Sequence, residues 1–122
     1  MPNALMILVA GPYRSGTDDD QARIQANVDA MTEASLALFR LGHLPVMGEW
    51  FALPLIEASG STGIGDAAFD EVFHPIAERV LGRCDAVLRI GGASAGADRM
   101  VEVAERLGKR VFHDLAEIPA TD

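Results

Sequence analysis

The run Leu5-Met6-Ile7-Leu8-Val9-Ala10 is apolar at every position and passes directly into the turn Gly11-Pro12-Tyr13-Arg14-Ser15-Gly16-Thr17. An extended segment with apolar side chains on both faces must be covered on both, the mark of a central strand in a parallel sheet. Open sheets of that kind bind ligands just beyond the carboxyl ends of their strands. The Gly11–Thr17 turn is therefore the first place where function is expected.

Beyond that turn the chain alternates helix and strand. Ile24, Val28, Met31, Ser35 and Leu38 recur at helical spacing and predict a helix of about 20 residues, with Asp18, Asp19 and Asp20 at its start as capping and dipole arguments prefer. Gly42 stops it, and Leu44–Met47 reads as a short second strand. Ala52–Ile56 reads as a short apolar helix or turn, and the glycine-bearing stretch Glu57–Asp66, with Ser59–Gly65 at its centre, as a flexible loop. A long helix is expected over Ala67–Gly82, with Phe69, Val72, Phe73, Ile76 and Val80 on one face. A third strand, Ala86–Ile90, ends at Gly91-Gly92; a helix over Gly96–Leu107, the strand Arg110–His113 and a short tail from Asp114 to Asp122 complete the chain. The pattern predicts an α/β fold: a flavodoxin-like, doubly wound parallel sheet of four to five strands in the order 2-1-3-4(-5), formed by residues 1–122 as one domain. That order sets the Gly11–Thr17 turn beside the Gly91–Ala97 turn, at the switch point between strands one and three.

Charge narrows the partners. Eighteen acidic residues against ten basic ones give a net charge of −8, which argues against binding a nucleic-acid backbone. No apolar run approaches a membrane span and no basic segment precedes a cleavable signal, so a cytoplasmic protein without a membrane partner is expected. A single cysteine, Cys84, excludes an internal disulfide and a multi-cysteine metal site. Three scattered histidines lack metal-ligand spacing, and neither a metal nor a cofactor is expected.

Two turns carry the chemistry. At Gly91-Gly92-Ala93-Ser94-Ala95-Gly96-Ala97 a strand ends and a helix starts, and the free amides of such a start attract anions. Ser94 adds a hydroxyl there, although the same residues also read as a plain helix cap. The spacing is that of neither a P-loop nor a dinucleotide fingerprint. In the first turn, Tyr13 can stack on a planar ring and orient a carboxylate, and Arg14 can pair with phosphate or carboxylate. The substrate-binding residues expected are Gly11, Pro12, Arg14, Gly16, Gly92, Ser94, Gly96 and Ala97. Glu49-Trp50, after the second strand, can reach the same cleft, although a tryptophan is more often core. His43 is expected to cap helix carbonyls, His74 to sit on the long helix and His113 to be structural. Cys84 reads as a buried, unactivated thiol, and Asp85 as a cap on the third strand.

On Gly11-Pro12-Tyr13, the acidic helix entry, the Gly42-His43 corner, Cys84-Asp85-Ala86-Val87-Leu88 and Ser94-Ala95-Gly96-Ala97, the chain resembles the nucleoside 2-deoxyribosyltransferase-like superfamily. The likeness is greatest to its small DUF4406-type branch and runs over nearly the whole length. The resemblance implies a nucleoside or nucleotide ligand, N-glycosidase or deoxyribosyltransferase chemistry, and a homodimer or larger homo-oligomer. In such enzymes a glutamate attacks the anomeric carbon, a tyrosine of the first turn orients it, and an aspartate protonates the departing base.

Carried over, Tyr13 matches the orienting tyrosine, and Ser94, Gly96 and Ala97 match the turn that holds a 5′-phosphate in nucleotide-cleaving members. The glutamate position falls at Met100, and the aspartate position near Ala77, with Glu78 and His74 beside it. Asp98 and Glu102 lie two residues either side of Met100, about 200° around the helix. Two readings compete. In one, the carboxylate comes from Asp98, Glu49 or Asp70, with Tyr13 and Asp98 as the catalytic pair. In the other, the protein is a non-catalytic ligand-binding or oligomeric scaffold.

Overall fold

The computed structural model describes residues 3–121. The first strand, β1 (Met6–Ala10), is buried from Ile7 onward and lies inside a four-stranded sheet. It is followed by α1 (Gln21–Arg40), β2 (Leu44–Val46), α2 (Gly48–Ala58), α3 (Ala67–Arg83), β3 (Ala86–Arg89), α4 (Ala95–Arg106) and β4 (Arg110–Phe112). All pairings are parallel and the order is β2-β1-β3-β4, as expected, with Met6 opposite Leu44, Ile7 opposite Ala86 and Ala86 opposite Arg110. Among the described residues there is no fifth strand; the tail forms a 3-10 turn at Leu115–Glu117, and Asp122 lies outside the described residues.

Alternation along β1 accounts for both layers. Leu8 and Ala10 face a cluster that includes Val80 and Leu81 of α3, Val87, and Met100, Val103 and Ala104 of α4. Ile7 and Val9 face the other cluster, with Met31 and Leu38 of α1, Leu88 and Phe112. Truncating a side chain as enclosed as Leu8 to alanine costs about 2–5 kcal/mol.

Local chemistry sets the ends of the elements. Asp20, Asp66 and Ser94 cap α1, α3 and α4 by accepting the backbone N–H of Arg23, Phe69 and Ala97. Gly42 ends α1 in the left-handed region at φ 95°. His43 caps α1 only through its backbone, whose N–H donates to the Leu38 carbonyl at 3.0 Å; its ring is buried elsewhere, its Nδ1 accepts the Leu5 N–H at 3.0 Å, and its Nε2 lies 2.7 Å from the Pro119 carbonyl. Together these contacts call for the neutral Nε2–H tautomer, bridging the start of β1 to the tail. Asp85 likewise binds the Met6 N–H at 2.8 Å and registers β3 on β1.

The segment after β2 departs most from expectation. The helix there is eleven residues long, with Pro54 inside it. Ala52 and Ile56 are buried against Phe69 of α3, in a cluster that also takes in Tyr13, Ile64, Phe73 and Ile76. Trp50 faces outward, 47% exposed, and is not core. A Cβ on Gly48 would come within 3.0 Å of the Ala77 Cβ, so α2 and α3 meet closely at that point.

Candidate functional site

A cavity of about 440 Å³ opens at the carboxyl ends of the central strands, walled by the first turn, the start of α2, one face of α3 and the start of α4. That volume is within the ordinary range for a small-molecule site. The two glycine-bearing turns do lie side by side. A Cβ on Gly91, at φ 79°, would stand 2.6 Å from Pro12 Cδ, and one on Gly11 would stand 3.1 Å from Ile90 Cγ1.

The first turn is tightly built. Thr17 is buried, its hydroxyl donates to the Arg14 carbonyl at 2.5 Å, and it accepts the Asp19 N–H at 3.1 Å. Asp18 and Asp19 both take left-handed backbone, at φ 51° and 58°, a conformation that aspartate tolerates at some cost. Of the three aspartates expected at the helix start, only Asp20 caps it. Asp19 turns back onto Arg14, Nε to Oδ1 at 2.9 Å and Nη2 to Oδ2 at 3.1 Å, and that contact holds its carboxyl below the usual range. The Arg14 guanidinium also lies 5.6 Å above the Phe69 ring centre. It is therefore engaged, not free for a phosphate as the sequence led one to expect.

Tyr13 forms an aromatic wall with α3. Its ring centre is 5.2 Å from that of Phe73, which stacks on Phe69 at 4.9 Å and meets His74 edge-on at 5.1 Å. Burial pushes the Tyr13 phenol above its usual value; the nearby Glu49 carboxylate adds to this and Arg14 opposes it.

Glu49 enters from the second position of α2. It lines the cavity, and its Oε2 is buried with no hydrogen-bond partner among the described residues. Burial raises its pKa, while its own backbone N–H works in the opposite direction. Met100 of α4 lines the same cavity and belongs to the core. Ala77 and Asp70 of α3 line it too, whereas Glu78 pairs with Arg99.

Of the residues expected at the site, Gly11, Tyr13, Arg14, Gly16, Ser94, Gly96 and Ala97 line the cavity. Pro12 packs on Gly91 beside it. Gly92 and Asp98 do not line it, because Arg89 draws both aside. Its Nη2 donates to the Gly92 carbonyl at 2.8 Å and its Nε to Asp98 Oδ1 at 3.2 Å, leaving the Asp98 side chain 66% exposed. The expectation of Asp98 as the cleft's carboxylate is thereby corrected. Ser94 is buried, and its hydroxyl accepts the Ala97 N–H as a cap. The wall residues Phe69 and Phe73 were legible only as one face of a helix, and Asp18 and Asp19 only as capping residues. Among the described residues, no group of three or more His, Cys, Asp and Glu side chains is disposed to hold a metal ion. None of the helices is long and apolar enough to cross a membrane.

The four-stranded parallel sheet in the order 2-1-3-4, with helices around it, defines an α/β protein of flavodoxin-like type. Its backbone is similar to a solved structure of a 2-deoxyribosyltransferase from the psychrotolerant bacterium Bacillus psychrosaccharolyticus. The TM-score is 0.62 and the identity 17%, over 87% of this chain and 69% of that one. At that identity the likeness is one of fold. No protein-family model matches the chain, and neither does any curated protein.

Proposed function

We propose that the cleft binds a nucleoside and serves cleavage or exchange of its base–sugar bond. The observation that carries this reading is the meeting, in one cavity, of the Tyr13–Phe73 aromatic wall and the unpartnered Glu49 oxygen. A planar base suits the wall, and a hydroxyl-bearing sugar supplies donors that a buried carboxylate lacks. The backbone likeness to a 2-deoxyribosyltransferase supports the same reading, as do the positions of Tyr13, Ser94 and Gly96 around the cavity.

Charge favours the nucleoside over its 5′-phosphate. Asp18, Asp19, Glu49 and Asp70 line the cavity against Arg14 alone, and Arg14 is already paired. A phosphate entering there meets mainly like charge, while the amides at the start of α4 offer partial compensation. Calorimetric titration with matched nucleosides and 5′-monophosphates tests the reading. Nucleosides should bind more tightly than their phosphates, and Tyr13→Ala should weaken binding by roughly tenfold. Failure of every nucleoside to bind better than about 1 mM would sink the proposal.

The outward face of α2 supports self-association as a homodimer or larger homo-oligomer, because Trp50, Phe51, Leu53 and Leu55 are all exposed on one short helix. Light scattering on the protein and on Trp50→Glu would check it. A monomer in both cases would refute it.

A further inference from the structure

The cleft already holds one cation of its own. The Arg14 guanidinium is bound by Asp19 and lies 5.6 Å above the ring centre of Phe69, so a carboxylate and an aromatic face share one positive group. The loop before α3 makes room for it at Gly65, where a Cβ would stand 2.9 Å from Arg14 Nη2.

A second carboxylate and aromatic face meet in the cavity, and no side-chain cation pairs with them. Glu49 and Tyr13 both line it, and after burial the Glu49 charge is what most raises the Tyr13 phenol. Tyr13 packs on Phe73 with ring centres 5.2 Å apart. Glu49 Oε2 is buried without a hydrogen-bond partner among the described residues, whose ion pairs engage Asp19, Asp98 and Glu78 instead. A sugar hydroxyl satisfies that oxygen as an acceptor, but only a positive group offsets its charge.

The mouth of the cavity carries the same sign. Asp18 and Asp70 line it, are exposed, and are bonded to no cation among the described residues. Arg14 is the only arginine or lysine in the lining, and Asp19 neutralises it, although Asp70 also favours its charged form from a distance. The amides at the start of α4 oppose this with about half a charge, and Ser94 already caps one of them. The balance is negative, and a concave surface of one sign focuses its field into the opening. The electron-rich faces of Tyr13 and Phe73 attract positive charge as well. The carboxylates do not converge on a point: no group of three or more His, Cys, Asp and Glu side chains among the described residues is disposed to hold a metal ion. Such an arrangement suits positive charge spread over a flat ring better than a compact ion.

We infer, on the nucleoside reading above, that the cleft selects nucleosides whose base is itself a cation, a pyridinium or an N-alkylated purine, over neutral nucleosides of the same shape. The charged ring rests on the Tyr13–Phe73 wall with Glu49 as its near counter-charge, while Asp18 and Asp70 attract it from the mouth. A phosphate on the same ligand would cancel that attraction.

Nicotinamide riboside and its dihydro form share nearly one outline, but the first carries a positive ring and the second a neutral one. In calorimetric titrations at neutral pH and low ionic strength, the cation should bind about tenfold more tightly. 1-Methyladenosine, a cation at neutral pH, should exceed adenosine in the same way. Glu49→Gln keeps the size of the side chain, removes its charge and should reduce the preference to about twofold, with affinity for the neutral partner little changed. Asp70→Asn alters an exposed side chain on which no packing depends, and should weaken the preference by a smaller factor. Added salt should narrow it too, so the charge dependence is measured even where Glu49→Gln does not fold. Equal affinities within each pair overturn the inference and leave the nucleoside reading standing. A preference unchanged by salt, or undiminished in folded Glu49→Gln, overturns it as well. Failure of every nucleoside, charged or neutral, to bind removes both.

Discussion

Arg14 and Asp19 face each other through two parallel contacts, at 2.9 and 3.1 Å, within a single tight turn. The aspartate reaches the guanidinium only by taking left-handed backbone next to a second left-handed aspartate. It thus occupies the place that an anionic group of a ligand would take on Arg14. In Asp19→Ala the guanidinium becomes available, and affinity for a nucleoside 5′-monophosphate is expected to rise by about fivefold, the scale of one exposed charge contact. Affinity for the parent nucleoside should change little. Titrating both ligands into both proteins gives the answer, and equal effects on the two would contradict it.

Asp66 ties the loop before α3 to the helix itself. Its carboxylate accepts from the N–H groups of Phe69 and Thr62 at 2.8 Å and from the Ser61 hydroxyl at 2.9 Å, and these bonds lower its pKa from the ordinary 3.8 to about 2. A carboxyl with a lowered folded-state pKa stabilises the fold fully above its unfolded value, and that contribution disappears as pH falls from about 4 towards 2. At pH 7, Asp66→Ala should therefore lower Tm by roughly 5 °C. As pH falls towards and below 2 the gap between the two proteins should narrow. Thermal unfolding across that range would reveal a constant gap if the assignment were wrong.

Gly91 and Pro12 join the two turns of the site. Gly91→Ala forces a side chain into the left-handed region and onto Pro12 Cδ, 2.6 Å away. A loss of about 1–3 kcal/mol in stability is expected, along with weaker nucleoside binding as the turns part. Gly63→Ala is the control, since no atom lies within 4 Å of the corresponding Cβ. Denaturant titration of both variants checks this; equal losses would show that the contact is unimportant.

Cys84 is 1% exposed, and burial pushes its thiol up to about 11. The native protein at pH 8 should resist a thiol reagent, while the unfolded chain should react within the mixing time. The labelling rate then reports opening of the α3–β3 corner. Rapid labelling of the native state would contradict the burial.

Much of this architecture was legible because it rests on period and punctuation. An apolar run with no polar face forces two covering layers, and Ile7 and Leu8 do point into opposite clusters. Long crossovers force parallel pairing, and the order 2-1-3-4 resulted. The adjacency of the two turns was legible, but the disposition of the carboxylates around the cavity was not. Asp98 leaves the cleft because Arg89, a strand residue nine positions earlier, captures it. Glu49 is carried into the cavity by α2, whose start meets α3 closely at Gly48 and Ala77, residues well separated in sequence. Pro54 lies within α2, and the helix, read from sequence only as a short helix or turn over Ala52–Ile56, continues through it with Ala52 and Ile56 anchored on Phe69. Local pattern carries no information about such tertiary rescue.

Glu49 and Met100 both line one opening, carried by helices that succeed different strands. A frame of this kind separates where a ligand rests from which segment supplies its reagent. The strand ends determine the first, and either flanking helix has access to the second. A side chain that enters the opening can therefore change on one helix without rebuilding the sheet. Comparing such proteins by aligned position alone would miss that exchange, whereas comparing what each wall presents to the shared space would detect it.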